Sequence, residues 1–230
     1  MARLAMIPAR GGSKRILRKN IKDFLGKPII AYSIEAALAS NLFDEVMVST
    51  DDPEIVEISK SYGAVVPFFR SETNADDHAT LSDVIEEVLD AYKKKGKEFD
   101  SCCCILPTAP FVSKEKLLVS YDKLATQKLD AVFPVIEFSY PIQRSLKIEG
   151  SNVSMVWEEY LNTRSQDLPS RYHDAGQFYW INNERFMKEK KLFMKNSGAI
   201  VISALEAQDI DTKEDWKLAE LKYKMMHSDR

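Results

Sequence analysis

The first half of the chain alternates short apolar runs with stretches whose apolar positions recur at helical spacing. "RLAMIPA" reads as a strand. "PIIAYSIEAALAS" has helical composition and opens on Pro28, which suits a first helical turn. "EVMVST" predicts a second strand, and "DDPEIVEISKSYG" a helix halted at Gly63. "AVVPFF" predicts a further short strand. From Thr80 onward, Leu81, Val84, Ile85, Val88, Leu89 and Tyr92 repeat along one helical face and predict an amphipathic helix. "SCCCIL" predicts a buried strand. Ser113 is placed to cap a helix carrying Leu117, Leu118, Tyr121 and Leu124, and "AVFPVI" follows as the next strand.

Repeated βα units imply an α/β fold, a mostly parallel, doubly wound sheet covered on both faces. Ligands of such sheets bind outside the carboxyl ends of the strands. Residues 8–22, 49–53 and 107–113 are the loops expected on that edge. After about residue 137 the pattern changes. "SLKIEGSNVSMVW" alternates as a hairpin, with Leu146 and Ile148 on one arm, Val153, Met155 and Trp157 on the other, and Gly150 in the turn. "QFYWI" and "GAIVIS" read as later strands, and Thr212 with Asp215 as a capping box for a final helix. No repeat or low-complexity linker interrupts the chain. The expectation is therefore one domain over residues 1–230 with a hairpin excursion at about 138–172.

Composition narrows the function classes. The chain has 230 residues, 45% of them hydrophobic and 29% charged, with a net charge of −3. That is ordinary for a globular domain, and a general nucleic-acid binder would be basic, so no nucleic-acid partner is expected. No run approaches the roughly 20 apolar residues of a membrane span, and the apolar run at the N-terminus is too short for a signal peptide. No membrane association and a cytoplasmic location are expected. The three cysteines, Cys102, Cys103 and Cys104, are adjacent. Neighbours on a strand point to opposite faces and do not match ordinary zinc spacing, so they read as core residues in a reducing compartment.

One stretch runs against the mild acidity. Arg10, Lys14, Arg15, Arg18, Lys19 and Lys22 fall within 13 positions that hold no acidic residue. Gly11 and Gly12 let the backbone bend and approach a ligand, and Arg and Lys supply donors for phosphate oxygens. A solvated basic turn is the plainer reading. The local basic charge fits a small anion better than a polyanion. Neither G-x-x-x-x-G-K-[ST] nor G-x-G-x-x-G is present, which weakens ATPase and dinucleotide readings. At the other end, Asp209 and Asp211 share one face of an extended segment while Ile210 points inward. Two hard oxygen ligands suit Mg²⁺; a carboxylate at the N-terminus of the last helix is equally served by the helix dipole.

The string "IPARGGSKRILRKNI" resembles the signature of the CMP-sialic acid synthetase family of cytidylyltransferases. "VSTDDPEI" is similar to the family's second strand and following helix. "LPTAPF" stands where the family reads L-Q-P-T-S-P, and "DIDT" matches its metal-binding Asp-x-Asp. "RSQDLPSRYHDAGQFYW" and "SYPIQRSL" look most like the pseudaminic acid branch. The resemblance implies a Rossmann-like sheet of the nucleotide-diphospho-sugar transferase type, with the hairpin reaching across a homodimer. It implies attack by the anomeric hydroxyl of a nonulosonic acid, pseudaminic acid first, on the α-phosphorus of CTP with Mg²⁺, expelling pyrophosphate.

It also implies site roles. Arg10 and Lys19 would neutralise the triphosphate, and Ala9, Gly11, Ser13, Lys14, Asn20, Arg70 and Ser82 would contact nucleotide. Asp209 and Asp211 would hold the metal, with Asp211 or a metal-bound hydroxyl as candidate base. Leu106, His173, Asp174, Gln177 and Tyr179 would face the sugar. Taken alone, His173 is more often a structural or surface histidine, and Gln177 is the stronger candidate because its amide both donates and accepts. Tyr140 and Arg144 in the excursion suit either a substrate rim or surface packing. Two departures stand out: Leu106 replaces the Gln of L-Q-P-T-S-P, which disfavours N-acetylneuraminic acid, and Leu17 replaces the commoner Pro of the signature loop. The alternatives are a cytidylyltransferase for sialic, legionaminic or 3-deoxy-octulosonic acid, or a CTP-binding module without turnover.

Overall fold

The computed structural model describes residues 1–228. It begins with β1 (Arg3–Pro8), the two-residue arms β2 (Asp23–Phe24) and β3 (Lys27–Pro28), α1 (Ile29–Ser40), β4 (Glu45–Ser49) and α2 (Pro53–Ser61). Next come α3 (Glu72–Ala75), α4 (Leu81–Lys94), β5 (Ser101–Ile105), α5 (Lys114–Thr126) and β6 (Ala131–Glu137). The remainder holds β7 (Leu146–Glu149), β8 (Asn152–Met155), β9 (Tyr172–Asp174), β10 (Phe178–Asn182), α6 (Asn183–Glu189), β11 (Ser197–Val201) and α7 (Lys213–His227).

The main sheet has the order β11-β6-β10-β5-β1-β4, with β9 beside β6. β1 pairs in parallel with β4 and β5, and β6 in parallel with β11. β10 runs antiparallel to both β5 and β6, and β9 antiparallel to β6. Five of the seven strands thus share one direction, as expected for a mostly parallel sheet. The inserted β10 has a consequence for the site. Its N-terminal end lies at the carboxyl edge of β5, where Phe178 pairs with Ile105.

Both faces are covered, as the near-continuous apolar strands require. On one face Ala5, Ile7, Val48, Cys103 and Trp180 pack with Ile30 and Ile34 of α1, Ile55 of α2 and Leu117 of α5. On the other, Leu4, Met6, Met47, Cys102 and Cys104 pack with Val84, Ile85 and Val88 of α4 and Phe186 of α6. The cysteines alternate faces and are fully buried; burial raises all three thiols and pushes Cys104 up to about 12, so none is a nucleophile at neutral pH. A third cluster joins α7 to the start of the chain, with Trp216 and Ala219 packed against Phe24, Ile29 and Ile210.

The local signals hold where capping chemistry is explicit. Thr80 with Asp83 and Thr212 with Asp215 form reciprocal capping boxes, and Ser113 accepts from the Lys116 amide. Gly63 follows α2 at φ +92°, a conformation open to glycine. Three expectations need correction. "AVVPFF" contributes only an isolated bridge, Val65 to Met47, because the chain leaves the sheet at Pro67 and turns toward Arg70. Pro28 is the N-cap of α1 and pairs within the β2–β3 turn, so it lies just outside the helix. Tyr172 belongs to β9 in the main sheet, and the Phe138 amide already donates to Arg171, so the excursion closes slightly inside the expected bounds.

The hairpin itself forms in the expected register, Leu146 opposite Met155 and Ile148 opposite Val153, with Gly150 at φ +62° in its turn. It belongs to a separate two-stranded sheet, and its Leu146, Ile148 and Val153 are exposed, Ile148 by 74%.

Candidate active site

The loop after β1 curls over the carboxyl edge of the sheet. Its first residue, Ala9, is fully buried, and its amide donates to the Ser49 carbonyl, which continues the β1–β4 ladder. The buried Asn20 braces the loop from inside by donating to the Arg10 carbonyl at 2.9 Å. The chain between them encloses one side of a cavity of about 280 Å³.

Arg10, Ser13, Lys14, Lys19 and Asn20 line that cavity on the loop side. Arg70 lines it from below, Leu106 from the end of β5, and residues 74–84 form the opposite wall. The structure thus brings together seven of the residues expected from the sequence. Ala9 and Gly11 shape the loop from behind. Ser82 sits in the first turn of α4 beside the lining residue Leu81 and does not itself line the cavity.

Arg70 defines the chemistry of this pocket. It is the one buried charged side chain among the described residues, at 8% exposure. Its Nε donates to the Ser49 hydroxyl at 3.1 Å and its Nη2 to the Ser49 carbonyl; among the described residues no carboxylate is in ion-pair contact with it, though the charges of Asp51 and Glu87 act on it from farther away. Burial lowers its pKa, but a guanidinium stays charged at any physiological pH. A desolvated, unpaired cation facing a cavity is costly unless an anion completes it.

The other cations of the pocket are already paired. Arg10 meets Asp77 at 2.8 Å and donates to the Asp76 carbonyl at 2.7 Å, and Lys14 also pairs with Asp77. Arg15 meets Asp211 at 2.8 Å, and Lys19 approaches its other oxygen at 3.4 Å while donating to the Ile210 carbonyl at 2.7 Å. Two carboxylates, Asp77 and Asp211, thus each bridge two basic residues. Asp76 and Asp77 were not foreseen as site residues. The sequence signal was the acidic pair in "NADDHAT", between Arg70 and the capping threonine of α4.

Asp209 and Asp211 flank the fully buried Ile210, as the alternation predicts. Burying one isoleucine is worth about 2 kcal/mol, which pins the segment against α7 and leaves both carboxylates outward. Partial desolvation, reinforced by the charge of Asp211, raises the Asp209 carboxyl. Such a pair is what a divalent cation relieves. No third His, Cys, Asp or Glu joins them among the described residues. A cation held here would take its remaining ligands from phosphate and water, which suits Mg²⁺.

The segment expected to read the sugar is adjacent to Leu106, whose amide donates to the Gln177 carbonyl at 2.8 Å. Its residues play different parts. The Tyr179 hydroxyl donates to the Asp174 carboxylate, and burial followed by that contact raises the tyrosine. His173 is exposed and packs on Phe138 with ring centroids 4.9 Å apart. Gln177 is 1% exposed; its Nε2 donates to the Glu206 carbonyl and its Oε1 meets no donor among the described residues. None of these four lines the cavity wall.

A basic loop on the carboxyl edge of the sheet, with a buried arginine beneath it, makes a pocket suited to an anion. The family model described as cytidylyltransferase matches residues 4–223, and the chain belongs to that family. A pseudaminic acid cytidylyltransferase of Campylobacter jejuni is 42% identical over 228 residues, covering 99% of this chain and 98% of that protein. The CMP-N,N'-diacetyllegionaminic acid synthase of Legionella pneumophila is 34% identical over 94% of each chain. Among solved structures, a CMP:2-keto-3-deoxy-manno-octonic acid synthetase shares the fold, with a TM-score of 0.72 over 99% of this chain and 100% of that one at 18% identity. No helix among the described residues is long and apolar enough to cross a membrane.

Proposed function

We propose that this chain transfers CMP from CTP to the anomeric hydroxyl of a nonulosonic acid, pseudaminic acid in the first instance, and releases pyrophosphate. The observation that carries the reading is Arg70, a buried guanidinium without a carboxylate, facing the same cavity as Arg10, Lys14 and Lys19. Full-length identity of 42% to a pseudaminic acid cytidylyltransferase supports that sugar ahead of legionaminic or N-acetylneuraminic acid.

In this reading the triphosphate lies along the basic loop. The hydroxyl oxygen of the sugar attacks the α-phosphorus, the bond to the β-phosphate breaks, and pyrophosphate leaves. The hydroxyl proton passes to Asp211 or to a hydroxyl that the metal would supply. Arg10, Lys14 and Lys19 stabilise charge on the leaving group, and Arg70 charge near the reacting phosphate; such chemistry needs positioning and electrostatics more than covalent help. Mg²⁺ held by Asp209 and Asp211 would neutralise phosphate charge and acidify the attacking hydroxyl. The sugar lies beyond Leu106, toward His173, Asp174 and Tyr179. The exposed apolar faces of β7 and β8 support a homodimer in which the hairpin meets a second copy.

The deciding assay is pyrophosphate release from CTP and Mg²⁺ with a panel of purified nonulosonic acids. A higher kcat/KM for pseudaminic acid than for N-acetylneuraminic acid is expected. Preference for N-acetylneuraminic acid overturns the sugar assignment, and CTP binding without pyrophosphate release under any sugar overturns the transfer.

A further inference from the structure

The turn from Ser49 to Asp52 joins β4 to α2 and lines no part of the cavity. Yet the basic loop and the buried arginine that shape the cavity are tied to this turn at several points. The Ser49 carbonyl accepts from Ala9 at 2.9 Å, and Ser49 also holds the guanidinium of Arg70. The Asp51 carboxylate accepts from the Gly11 amide at 3.0 Å. Asp52 receives a two-pronged contact from Arg18, whose Nη2 lies 3.1 Å from Oδ1.

The fit around Asp52 is close. A Cβ on Gly11 would lie 2.5 Å from the Asp52 carboxylate, so a larger residue there would have to displace that side chain. Arg18 sits at φ 54°, in the left-handed region that non-glycine residues avoid. Its guanidinium is held by both Asp52 and Glu54, contacts that fix the backbone in this region. Arg18 does not line the cavity and so is not a phosphate ligand in this geometry. Asp52 has a second duty as the N-cap of α2, accepting from the Glu54 and Ile55 amides at 2.9 and 3.1 Å.

We infer that Asp52 is a positioning residue for the phosphate-binding loop, acting through Arg18 and its close contact with Gly11. The inference rests on the reading of this cavity as the CTP triphosphate site. Its sign separates it from a simple charge effect. Removing Asp52's charge makes the loop's surroundings more positive, so electrostatics alone would tighten anion binding. Loss of the anchor instead lets Arg10, Lys14 and Lys19 lose their common geometry, and binding weakens.

The test is a calorimetric Kd for inorganic tripolyphosphate at fixed Mg²⁺, alongside CTP kinetics by pyrophosphate release. Asn caps helices as well as Asp does, so Asp52→Asn keeps the cap and removes the ion pair. Asp52→Asn is expected to weaken tripolyphosphate about tenfold and raise the CTP KM similarly, with kcat changed by less than about threefold. Arg18→Gln is expected to match it, and the double variant to be about as weak as either single one, since both remove the same contact. Unchanged or tighter binding in Asp52→Asn overturns the inference. So does normal binding in Asp52→Asn with weak binding in Asp52→Ala, which would leave only the cap. If the wild type binds tripolyphosphate but releases no pyrophosphate from CTP, the transfer reading fails; the tenfold loss in Asp52→Asn would still support the anchor.

Discussion

The Asp77 carboxylate lies 2.8 Å from the guanidinium of Arg10 and pairs with Lys14 on its other side. Both cations line the cavity, as does Asp77. The Lys14 contact first, and Arg10 second, hold the Asp77 carboxyl below its usual range. On the proposed reading of this cavity as the CTP site, an incoming triphosphate would compete with this carboxylate for the same two donors. Asp77→Asn is therefore expected to tighten CTP binding about two- to fivefold, in keeping with the modest worth of exposed ion pairs. It is also expected to strengthen product inhibition by pyrophosphate. Calorimetry with both anions checks this, and weaker CTP binding would show that Asp77 helps to build the site.

The Asp209–Asp211 pair makes opposite predictions for stability and turnover. The raised Asp209 carboxyl favours folding below the ordinary carboxylate range, and that contribution is lost as pH rises through the folded-state value. At neutral pH the charged Asp209 is thus a cost to the metal-free protein. Asp209→Asn is expected to raise Tm by about 1–2 °C at pH 7, with the difference vanishing below about pH 4. Turnover is expected to fall at least about a hundredfold in Asp209→Asn and in Asp211→Asn, as charge is lost at a hard-cation site. Differential scanning fluorimetry across pH and pyrophosphate release across Mg²⁺ concentrations measure the two effects. Full activity in both variants at saturating Mg²⁺ would remove the metal assignment.

On the hairpin, Leu146, Ile148 and Val153 are 61%, 74% and 59% exposed, and Ile148 pairs directly with Val153. Charging this face with Ile148→Asp and Val153→Asp is expected to change folding stability by no more than about 0.5 kcal/mol per site, as at other surface positions. Sedimentation should then show the wild type as a dimer and the double variant as a monomer. A wild type that sediments as a monomer removes this interface.

What could be read from the sequence follows the range of the interactions. Helix α4 announced itself through its apolar repeat and α7 through a capping box, signals complete within a few turns of chain. The signature loop was legible as a basic, glycine-bent turn because its own residues carry that charge. "AVVPFF" failed because strand propensity is settled by pairing, and only Val65 finds a partner. β9 was missed because three residues pairing with β6 leave too short a pattern. The ion pairs of Asp52 and Asp77 were not legible at all. Each is made across the fold, to Arg18 in one case and to Arg10 and Lys14 in the other. The motif "VSTDDPEI" was visible, but its work depends on which loop lies over it.

Gln177 shows how burial changes the reading of a polar residue. Its amide suits a sugar, and its segment adjoins Leu106. In the folded chain, however, the side chain is 1% exposed and its Nε2 holds the Glu206 carbonyl. Lys116 meets the Glu206 carboxylate at 3.0 Å, and Lys222 donates to the carbonyls of Ala204 and Ala207 at 2.9 and 2.8 Å. These contacts together fix residues 204–207, just before Asp209. Gln177→Ala is accordingly expected to act on the Asp209 and Asp211 carboxylates through this segment. Loss of a buried hydrogen bond and creation of a small cavity cost about 2–4 kcal/mol, or a Tm lower by roughly 4–12 °C. The kcat/KM values for pseudaminic and N-acetylneuraminic acid should fall by the same factor, leaving their ratio within about twofold of the wild type, because a displaced Asp209 affects every sugar alike. Gln177→Glu offers the complementary measurement. It retains the side-chain volume but replaces the amide donor, and is expected to lower both sugars equally again. A ratio that narrows more than about threefold in Gln177→Ala, with Tm unchanged, would instead assign the amide to direct contact with the sugar.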